Sequence, residues 1–326
     1  MNGITRREWL AAAAACALAW QGQTAAQARG PARIGWLSYI GEPDIGLTML
    51  RDGLRDLGYA EGSSYVIVAR YADGDFSRLP RLVGELAGER LNVLVSRGPS
   101  VEFAMALRGS MPVVFAYSGD PIAAGFGDSL RHPGRNMTGL TFMALELSAK
   151  RMALLKELLP KAQRIALLSN PEHKGELEEY RVTEDAARAL GSRITRYLIR
   201  SPQEFAPAFA AIEASRPDAM LVFPDSLTVA RRKDIVDFAT RARIPCMYGW
   251  TEFVESGGLA SYGPGLNENF KDLAKFVDKL LKGASASEMP IEQVRKIGLT
   301  LNLRAANAIG LQFPPAFFAR ADRVIE

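Results

Sequence analysis

Cysteine and histidine are scarce in this chain of 326 residues. There are two cysteines, Cys16 and Cys246, and two histidines, His132 and His173. A structural zinc site needs four such ligands, usually arranged as closely spaced pairs along the chain. These four residues form no such pairs, so we expect no metal site.

A surplus of charge of one sign is also missing. The chain has 40 Lys and Arg against 36 Asp and Glu, and its formal net charge is +4. The basic residues are scattered along the chain, whereas nucleic-acid-binding proteins gather them on one stripe or face. We therefore expect no nucleic-acid partner.

Long apolar runs are limited to one, from Trp9 to Trp20. It is too short for a transmembrane helix, which needs about 20 apolar residues. Arg6 and Arg7 precede the run, and Ala26-Gln27-Ala28 follows it as the small-x-small pattern of a cleavage site. This order predicts a twin-arginine-type signal peptide over residues 1–28, cleaved near Ala28. The mature chain would then be exported, periplasmic and not membrane-spanning.

Cys16 raises the alternative of a lipid anchor. Ala13 stands where an aliphatic residue is normally required, and the apolar stretch before Cys16 is very short. We therefore predict no lipid anchor. Removal of the signal leaves Cys246 alone, which excludes an intramolecular disulfide.

Catalytic and phosphate-binding motifs are absent as well. No G-x-G-x-x-G follows the first strand-like run, Arg33–Leu37, and the chain has neither a P-loop nor a G-x-S-x-G elbow. Neither histidine has an evident serine or cysteine partner in the sequence. We predict no cofactor and no catalytic residue. A fold alone never excludes catalysis, so an exported enzyme stays an alternative, but the missing motifs make it the less favoured class.

Strand-like apolar runs alternate with amphipathic helical patterns from residue 33 onward. The first helix places leucines at three- and four-residue spacing, at Leu47, Leu50, Leu54 and Leu57. The strands are apolar on both sides, which is typical of parallel sheets covered by helices on both faces. This predicts an α/β, Rossmann-like lobe. Its last predicted helix, after the strand Pro112–Ala116, carries Ile122, Phe126 and Leu130.

The second half of the chain repeats this plan. Arg33–Ser38 has a counterpart in Arg164–Ser169, and Met111–Tyr117 has one in Ile244–Trp250. The order is the same and the offset nearly constant, which favours two similarly built lobes. The chain would first cross between them near Phe142–Ser148.

The last sixty residues do not fit a simple tandem of two lobes. A helix with Phe270, Leu273, Val277 and Leu280 on one face is predicted to return to the first lobe, and a strand over Arg295–Leu303 to return to the second. Three crossings would then form the hinge. The predicted boundaries are residues 31–143 plus 266–284 for lobe 1 and residues 148–262 plus 288–326 for lobe 2.

A ligand site is predicted where the two sets of strand ends face each other. In open parallel sheets, ligands bind outside the carboxyl ends of the strands. The residues that directly follow predicted strands are therefore the candidate ligand-binding residues. Lobe 1 contributes Tyr39, Ser96, Gly98, Ser100, Ser118 and Asp120, and lobe 2 contributes Asn170, Asp225, Ser226, Trp250 and Tyr262.

Each group of candidates has a chemical role and an ordinary alternative. The loop Ser96–Ser100 opens a helix whose free N–H groups favour a carboxylate, although Ser100 could serve only as its N-cap. Asp120 and Asp225 could take a ligand ammonium, although Asp120 could merely form a turn before Pro121. The aromatic residues could line the cleft or simply pack in the core.

Short motifs along the whole mature chain carry a resemblance to a known family. They include Gly58-Tyr59-x-x-Gly62, Pro133-Gly134-x-Asn136-x-Thr138-Gly139-Leu140, Gly257-Gly258-Leu259, Ser261-Tyr262-Gly263-Pro264 and Ala319-Arg320-Ala321-Asp322. In order and spacing the chain resembles ABC-transporter substrate-binding proteins of the tryptophan/tyrosine uptake type. The resemblance covers essentially residues 31–326. It implies a type I periplasmic-binding-protein fold, in which two Rossmann-like lobes joined by a three-strand hinge close on a ligand.

The resemblance also implies a function. The chain would capture a small molecule, an amino acid or related small carboxylate, and present it to an ABC permease in the inner membrane, as a monomer. A ligand-binding protein that serves a membrane sensor is the alternative that sequence does not separate from this one. A sugar-sensing repressor of the same architecture would carry a DNA-binding motif where this chain has its export signal.

Overall fold

The computed structural model describes residues 30–326, and the predicted signal peptide lies outside that range. Within these residues, no helix combines the length and apolar character needed to cross a bilayer. The strands are β1 (Ala32–Ser38), β2 (Tyr65–Tyr71), β3 (Val93–Arg97), β4 (Val113–Tyr117), β5 (Met137–Thr141), β6 (Arg164–Ser169), β7 (Arg193–Leu198), β8 (Ala219–Val222), β9 (Cys246–Tyr248), β10 (Ala260–Gly263), β11 (Glu292–Gln293), β12 (Gly298–Asn302) and β13 (Arg323–Ile325).

Helices connect most of these strands. They are α1 (Ile45–Asp56), α2 (Leu79–Gly88), α3 (Ser100–Ala104), α4 (Ala144–Leu158), α5 (Glu176–Ala189), α6 (Phe205–Ser215), α7 (Ser226–Ala230), α8 (Arg232–Arg241), α9 (Thr251–Glu255), α10 (Leu266–Leu281), α11 (Leu303–Ile309) and α12 (Pro315–Phe318). The predicted leucine stripe lies on α1, where Leu47, Leu50 and Leu54 are buried. Leu57 caps that helix and is exposed.

The strands form two sheets with the same internal order. The first sheet runs β11-β5-β4-β3-β1-β2 and the second β13-β12-β10-β9-β8-β6-β7. In each, the first strand of the lobe lies between its second and third, which is the doubly wound order of flavodoxin-like sheets. The predicted α/β fold with two Rossmann-like lobes is confirmed. The sheets are parallel except where β12 runs antiparallel to β10.

Alternate residues of the central strands point into different cores, because successive side chains of a strand face opposite sides of the sheet. In β8, Met220 and Val222 belong to a large apolar cluster that also includes lobe 1, whereas Ala219 and Leu221 belong to a second cluster behind the sheet. Strands β3, β4 and β5 are buried along their whole length. The large cluster joins the lobes, so the protein is in a closed arrangement.

The chain crosses between the sheets three times, after β5, after β10 and after β11. After the second crossing, α10 packs closely on α1 of lobe 1. A Cβ built on Gly53 would lie 2.3 Å from the carbonyl oxygen of Lys271, so only glycine allows this approach. The hydroxyl of Tyr59 donates to Asp278 of α10 at 2.8 Å.

The third crossing comes later in the chain than the sequence suggested. Residues 288–326 were expected in lobe 2, but Glu292 and Gln293 form β11, which pairs with Leu140 and Thr141 of β5 in the first sheet. The backbone of this segment fills the free edge of β5 before the chain leaves for β12. The crossing therefore lies between residues 293 and 298.

The helix predicted to carry Ile122, Phe126 and Leu130 does not exist, and that expectation is wrong. The segment between β4 and β5 is a series of turns. Pro121 begins it, and Gly125 has φ +82°, a left-handed conformation that ends helical geometry. Phe126 is nevertheless fully buried, with its ring against Phe115 at a centroid distance of 5.3 Å. The apolar residues whose spacing predicted a helix are carried instead by turns that pack over the core.

Candidate functional site

The carboxyl ends of the two sheets face each other, and the lobes touch there. A Cβ built on Gly98 of lobe 1 would lie 2.2 Å from Oγ of Ser226 in lobe 2. The hydroxyl of Tyr39 lies 2.6 Å from the carbonyl oxygen of Arg200, again across the interface. Loops from both lobes thus meet in one cleft, where parallel α/β sheets place their ligands.

The segment from the end of β3 to the start of α3 carries two serines, Ser96 and Ser100, whose hydroxyls are both buried. Ser96 is turned inward, since its Oγ donates to the carbonyl of Leu37 at 3.3 Å. Gly98 has φ +54°, which turns the chain sharply toward the other lobe. Pro99, not Ser100, is the N-cap of α3, and the Ser100 hydroxyl is fully buried without a hydrogen-bond partner in residues 30–326. The interpretation of Ser100 as an N-cap is wrong.

Asp225 supplies the facing carboxylate from lobe 2. It is the N-cap of α7, where Oδ1 accepts from the N–H of Leu227 at 2.8 Å and Thr228 completes a capping box. The amide nitrogen of Asn170 donates to the same oxygen at 3.1 Å. The residue is only 2% exposed, and its Oδ2 has no hydrogen-bond partner in the described part of the chain. A buried carboxylate oxygen of this kind requires a donor.

The three aromatic candidates differ in position. The Tyr39 hydroxyl is shared between the carbonyls of Gly74 and Arg200, and burial raises its pKa above the ordinary range. Trp250 packs edge-on against Phe142 of the first crossing, and its indole N–H is buried with no acceptor among the described residues. Tyr262 packs against the second cluster, away from Asp225. The structure brings Tyr39 and Trp250 to the cleft and leaves Tyr262 behind it.

A small cavity lies between the lobes at the rim of the cleft. Its volume is about 210 Å³. It is lined from lobe 1 by Tyr117, Asp120 and Ala124, and from lobe 2 by His173, Lys174 and Glu178. Pockets for drug-sized molecules span about 300–1,000 Å³. The smaller cavity therefore suits a metabolite of amino-acid size.

Asp120 stands exposed at this rim and makes a local turn. Its Oδ1 accepts from the N–H of Ile122 at 2.8 Å and of Ala123 at 3.2 Å. The turn before Pro121 that the sequence suggested is therefore present. The carboxylate also lines the rim cavity.

Ser118 makes a contact that the sequence did not reveal. Its Oγ lies 2.6 Å from Nε2 of His173, which belongs to the other lobe and is 4% exposed. The pKa of His173 is lowered because burial disfavours the charged ring more than the carboxylates of Asp225 and Glu176 favour it. A buried neutral imidazole thus joins the lobes directly beside the candidate ligand residues.

A buried ion pair lies next to Gly98, at the lobe 1 side of the cleft. Nη1 of Arg97 lies 2.6 Å from Oδ1 of Asp44, and both side chains are almost fully buried. Asp44 also caps α1 and accepts from the indole of Trp36 at 3.1 Å. The guanidinium lies over the ring of Phe270 at 4.7 Å. A charged residue at the end of an apolar strand run was the signal for this pair in the sequence.

Among the described residues, no three or more His, Cys, Asp or Glu side chains lie close enough together to hold a metal ion. Cys246, the one cysteine within residues 30–326, is buried in β9, and burial raises its thiol pKa above the ordinary range. Its position is that of a small apolar side chain.

Comparison with known proteins places these features in a family. The family described as ABC transporter substrate binding protein matches residues 46–325. A tyrosine-binding protein of Clostridioides difficile (strain R20291) is 22% identical over 261 residues, which cover 79% of this chain and 74% of that protein.

Solved structures show the same fold. A conserved domain protein from Vibrio cholerae O1 biovar El Tor str. N16961 has a TM-score of 0.80 at 25% identity, covering 90% of this chain and 99% of that one. An ABC domain in complex with L-Trp from Streptococcus pneumonia has a TM-score of 0.79 at 23% identity, covering 90% and 100%. The fold is that of the type I periplasmic binding proteins. The chain belongs to the family of ABC transporter substrate-binding proteins.

Proposed function

We propose that this protein captures an amino acid between its lobes and delivers it, unchanged, to an ABC permease. The ligand's ammonium group would bind Oδ2 of Asp225. Its carboxylate would accept hydrogen bonds from the Ser100 hydroxyl and the Trp250 indole. Its side chain would extend toward the rim cavity beside Tyr117.

One observation carries this proposal: among the buried polar atoms at or just after the strand ends that lack partners, three match a zwitterion. Oδ2 of Asp225 is an acceptor, whereas Oγ of Ser100 and Nε1 of Trp250 are donors, and none has a hydrogen-bond partner within the described residues. Leaving such buried groups unpaired costs about 1–3 kcal/mol each. A ligand with one ammonium and one carboxylate satisfies all three. Tyrosine and L-Trp, the ligands named for the relatives from Clostridioides difficile and Streptococcus pneumonia, have this pattern.

Binding would act through a shift between open and closed forms. The closed arrangement is stabilised when one ligand contacts both lobes, and the ligand shifts the equilibrium only by its preference for the closed form. Ser100 belongs to lobe 1 and Asp225 to lobe 2, so a ligand that binds both makes its full set of contacts only after closure. The permease would then recognise the closed outline.

The place of action follows from the first residues. We propose that residues 1–28 direct export by the twin-arginine route, that cleavage occurs near Ala28, and that the mature protein works in the periplasm. Arg6, Arg7 and Ala26-Gln27-Ala28 support this proposal. N-terminal sequencing of the protein from a periplasmic extract tests it, and a first residue of Arg29 or close to it is the expected result.

Asp225→Asn is expected to weaken binding of L-tyrosine or L-tryptophan about tenfold to hundredfold, because a charge-assisted hydrogen bond contributes about 1.5–3 kcal/mol. Asparagine still caps α7, so the melting temperature should change little. Asp225→Ala removes the cap as well and should destabilise the protein by about 1 kcal/mol. Isothermal calorimetry and thermal unfolding measure the two effects.

Asn302→Ala is the matched control. Asn302 is the N-cap of α11, where Oδ1 accepts from the N–H of Ala305 at 3.0 Å, and it lies outside the cleft. This variant should lose stability as Asp225→Ala does and keep its affinity. Unchanged affinity in Asp225→Asn would remove Asp225 from the binding site.

A further inference from the structure

The loop that joins β6 to α5 closes one end of the cleft. We name residues 170–175 the latch. It starts in lobe 2, where the N–H of Glu172 donates to Oδ1 of Asn170 at 3.0 Å, and it reaches across to lobe 1. The Asn170 amide also donates to Oδ1 of Asp225, so the latch begins beside the protein carboxylate that is proposed to bind the ligand's ammonium group.

Four contacts of the latch are made to lobe 1. Nε2 of His173 is hydrogen-bonded to Ser118 at 2.6 Å, and its ring stacks on Tyr117 with centroids 5.1 Å apart and planes 9° from parallel. The Tyr117 hydroxyl donates to the carbonyl of Lys174. Nζ of Lys174 donates to the carbonyl of Ala124 at 3.3 Å. All four contacts join different lobes, so opening of the cleft would break them together.

The surroundings of His173 favour a neutral ring in the closed form. The charged groups that face it or line the same cavity are Asp225, Glu176, Lys174, Asp120, Glu178 and Glu179. The partly buried carboxylate of Glu102 in lobe 1 also faces the latch, at the N–H of Lys174, and burial raises its pKa in all the proteins compared below. Of the two carboxylates that act most on His173, Glu176 is already bound by Ser169 and by Arg196, each at 2.6 Å.

The remaining carboxylate, Asp225, is the one that the proposed ligand occupies. A protonated His173 and the ligand's ammonium would therefore compete for the same negative charge. The imidazole ring of His173 stacks on Tyr117 and is hydrogen-bonded to the Ser118 hydroxyl. Neither of these neutral groups compensates a buried positive charge.

We propose that the latch is a proton-operated release device, in which neutral His173 holds the lobes closed on the ligand and protonated His173 favours the open form. This inference rests on the proposed function, because it concerns release from the same cleft. The nearby carboxylate of Glu179 does not supply the same effect. Its partners, Ser148 and Arg151, lie on α4 of the same lobe and move with it.

The direction of the effect follows from the two forms. In the open form the ring meets water and its pKa is near the ordinary value of about 6.5. In the closed form burial holds the pKa of His173 lower, so protons bind the open form more strongly. Acid therefore shifts the protein toward the open form. Between pH 7.5 and 5.5 the apparent dissociation constant of the ligand should rise, by about tenfold at most, since an open-form pKa of about 6.5 sets the upper limit.

The test is calorimetry with L-tyrosine at pH 7.5 and 5.5, on the full mature chain and two variants. His173→Gln keeps a polar group beside Ser118 and removes the titration, so its affinity should be equal at the two pH values within about twofold. His132→Gln changes the exposed histidine and should retain the same loss of affinity as the unaltered chain. The titration of Glu179, whose pKa is raised by burial to about 7, is common to all three proteins.

The outcomes separate the latch from the ligand assignment. A pH effect of equal size in His173→Gln, or none in the unaltered chain, overturns the latch proposal even where L-tyrosine binds. Where none of the twenty common amino acids binds at pH 7.5, the proposed ligand class fails. The latch is then tested by small-angle scattering of the protein alone. Acid-induced expansion that His173→Gln abolishes supports it, and a radius independent of pH overturns it.

Discussion

Gly98→Ala is expected to weaken ligand binding about tenfold to hundredfold while both lobes still fold. The added methyl group would lie 2.2 Å from Oγ and 3.2 Å from Cβ of Ser226, and these atoms belong to the facing lobe. An overpacked contact costs about 1–3 kcal/mol, and this cost arises only when the lobes close. Calorimetry with L-tyrosine measures the loss, and small-angle scattering with saturating ligand should show a more open molecule.

A backbone effect must be separated from the contact across the cleft. Gly98 has φ +54°, where any residue with a Cβ is strained in the open and closed forms alike. Gly191 provides the control, since it has φ +69° and nothing lies within 4 Å of an added Cβ. Gly191→Ala should lower stability similarly and leave affinity unchanged.

Ser226→Gly added to Gly98→Ala should restore much of the affinity, because it removes the atoms that the methyl group meets. Full affinity in Gly98→Ala alone would contradict the closed arrangement of the lobes. Failure of the double variant to recover, with a normal radius, would show that the loop conformation matters more than the contact.

Much of the fold could be predicted because its signals are local. The run Arg33–Ser38 lies in β1 and the matching run Arg164–Ser169 forms β6, since short apolar runs that alternate with amphipathic helices leave few other arrangements. The turns over Ile122–Leu130 were missed because periodicity alone cannot distinguish a short helix from turns that bury the same apolar residues. There the carboxylate of Asp120 and the left-handed Gly125 decide the conformation.

Candidate site residues could be selected from the sequence only where the pattern of a single lobe was enough to select them. The rule that ligands lie at strand ends selected Ser100 and Asp225, both of which are buried and are proposed to bind the ligand. The contact of His173 with Ser118 joins residues 55 positions apart in different lobes, so no spacing in the sequence indicates it. Asp225 is also the N-cap of α7, a role that the sequence analysis did not assign to it, so its proposed ligand contact must be separated from its capping role by experiment.

Arg97→Met is expected to cost about 3–5 kcal/mol of folding free energy, because it leaves the buried carboxylate of Asp44 without its cation. The two side chains are 2% and 0% exposed, so water cannot replace the lost partner. The N–H groups of Gly46 and Trp36 still donate to Asp44, but neither carries charge. Urea unfolding followed by circular dichroism measures the loss.

The control is an exposed pair of the same chemistry. Arg51 lies 2.9 Å from Glu61 with both side chains about two-fifths exposed, and Arg51→Met should cost less than about 1 kcal/mol. Asp44→Asn added to Arg97→Met should recover part of the loss, because asparagine keeps the cap of α1 without the charge. Equal losses for Arg97→Met and Arg51→Met would show that the buried carboxylate is compensated elsewhere. Because Arg97 directly precedes Gly98, the loss of this pair should also loosen the loop that meets Ser226, and affinity for L-tyrosine should fall together with stability.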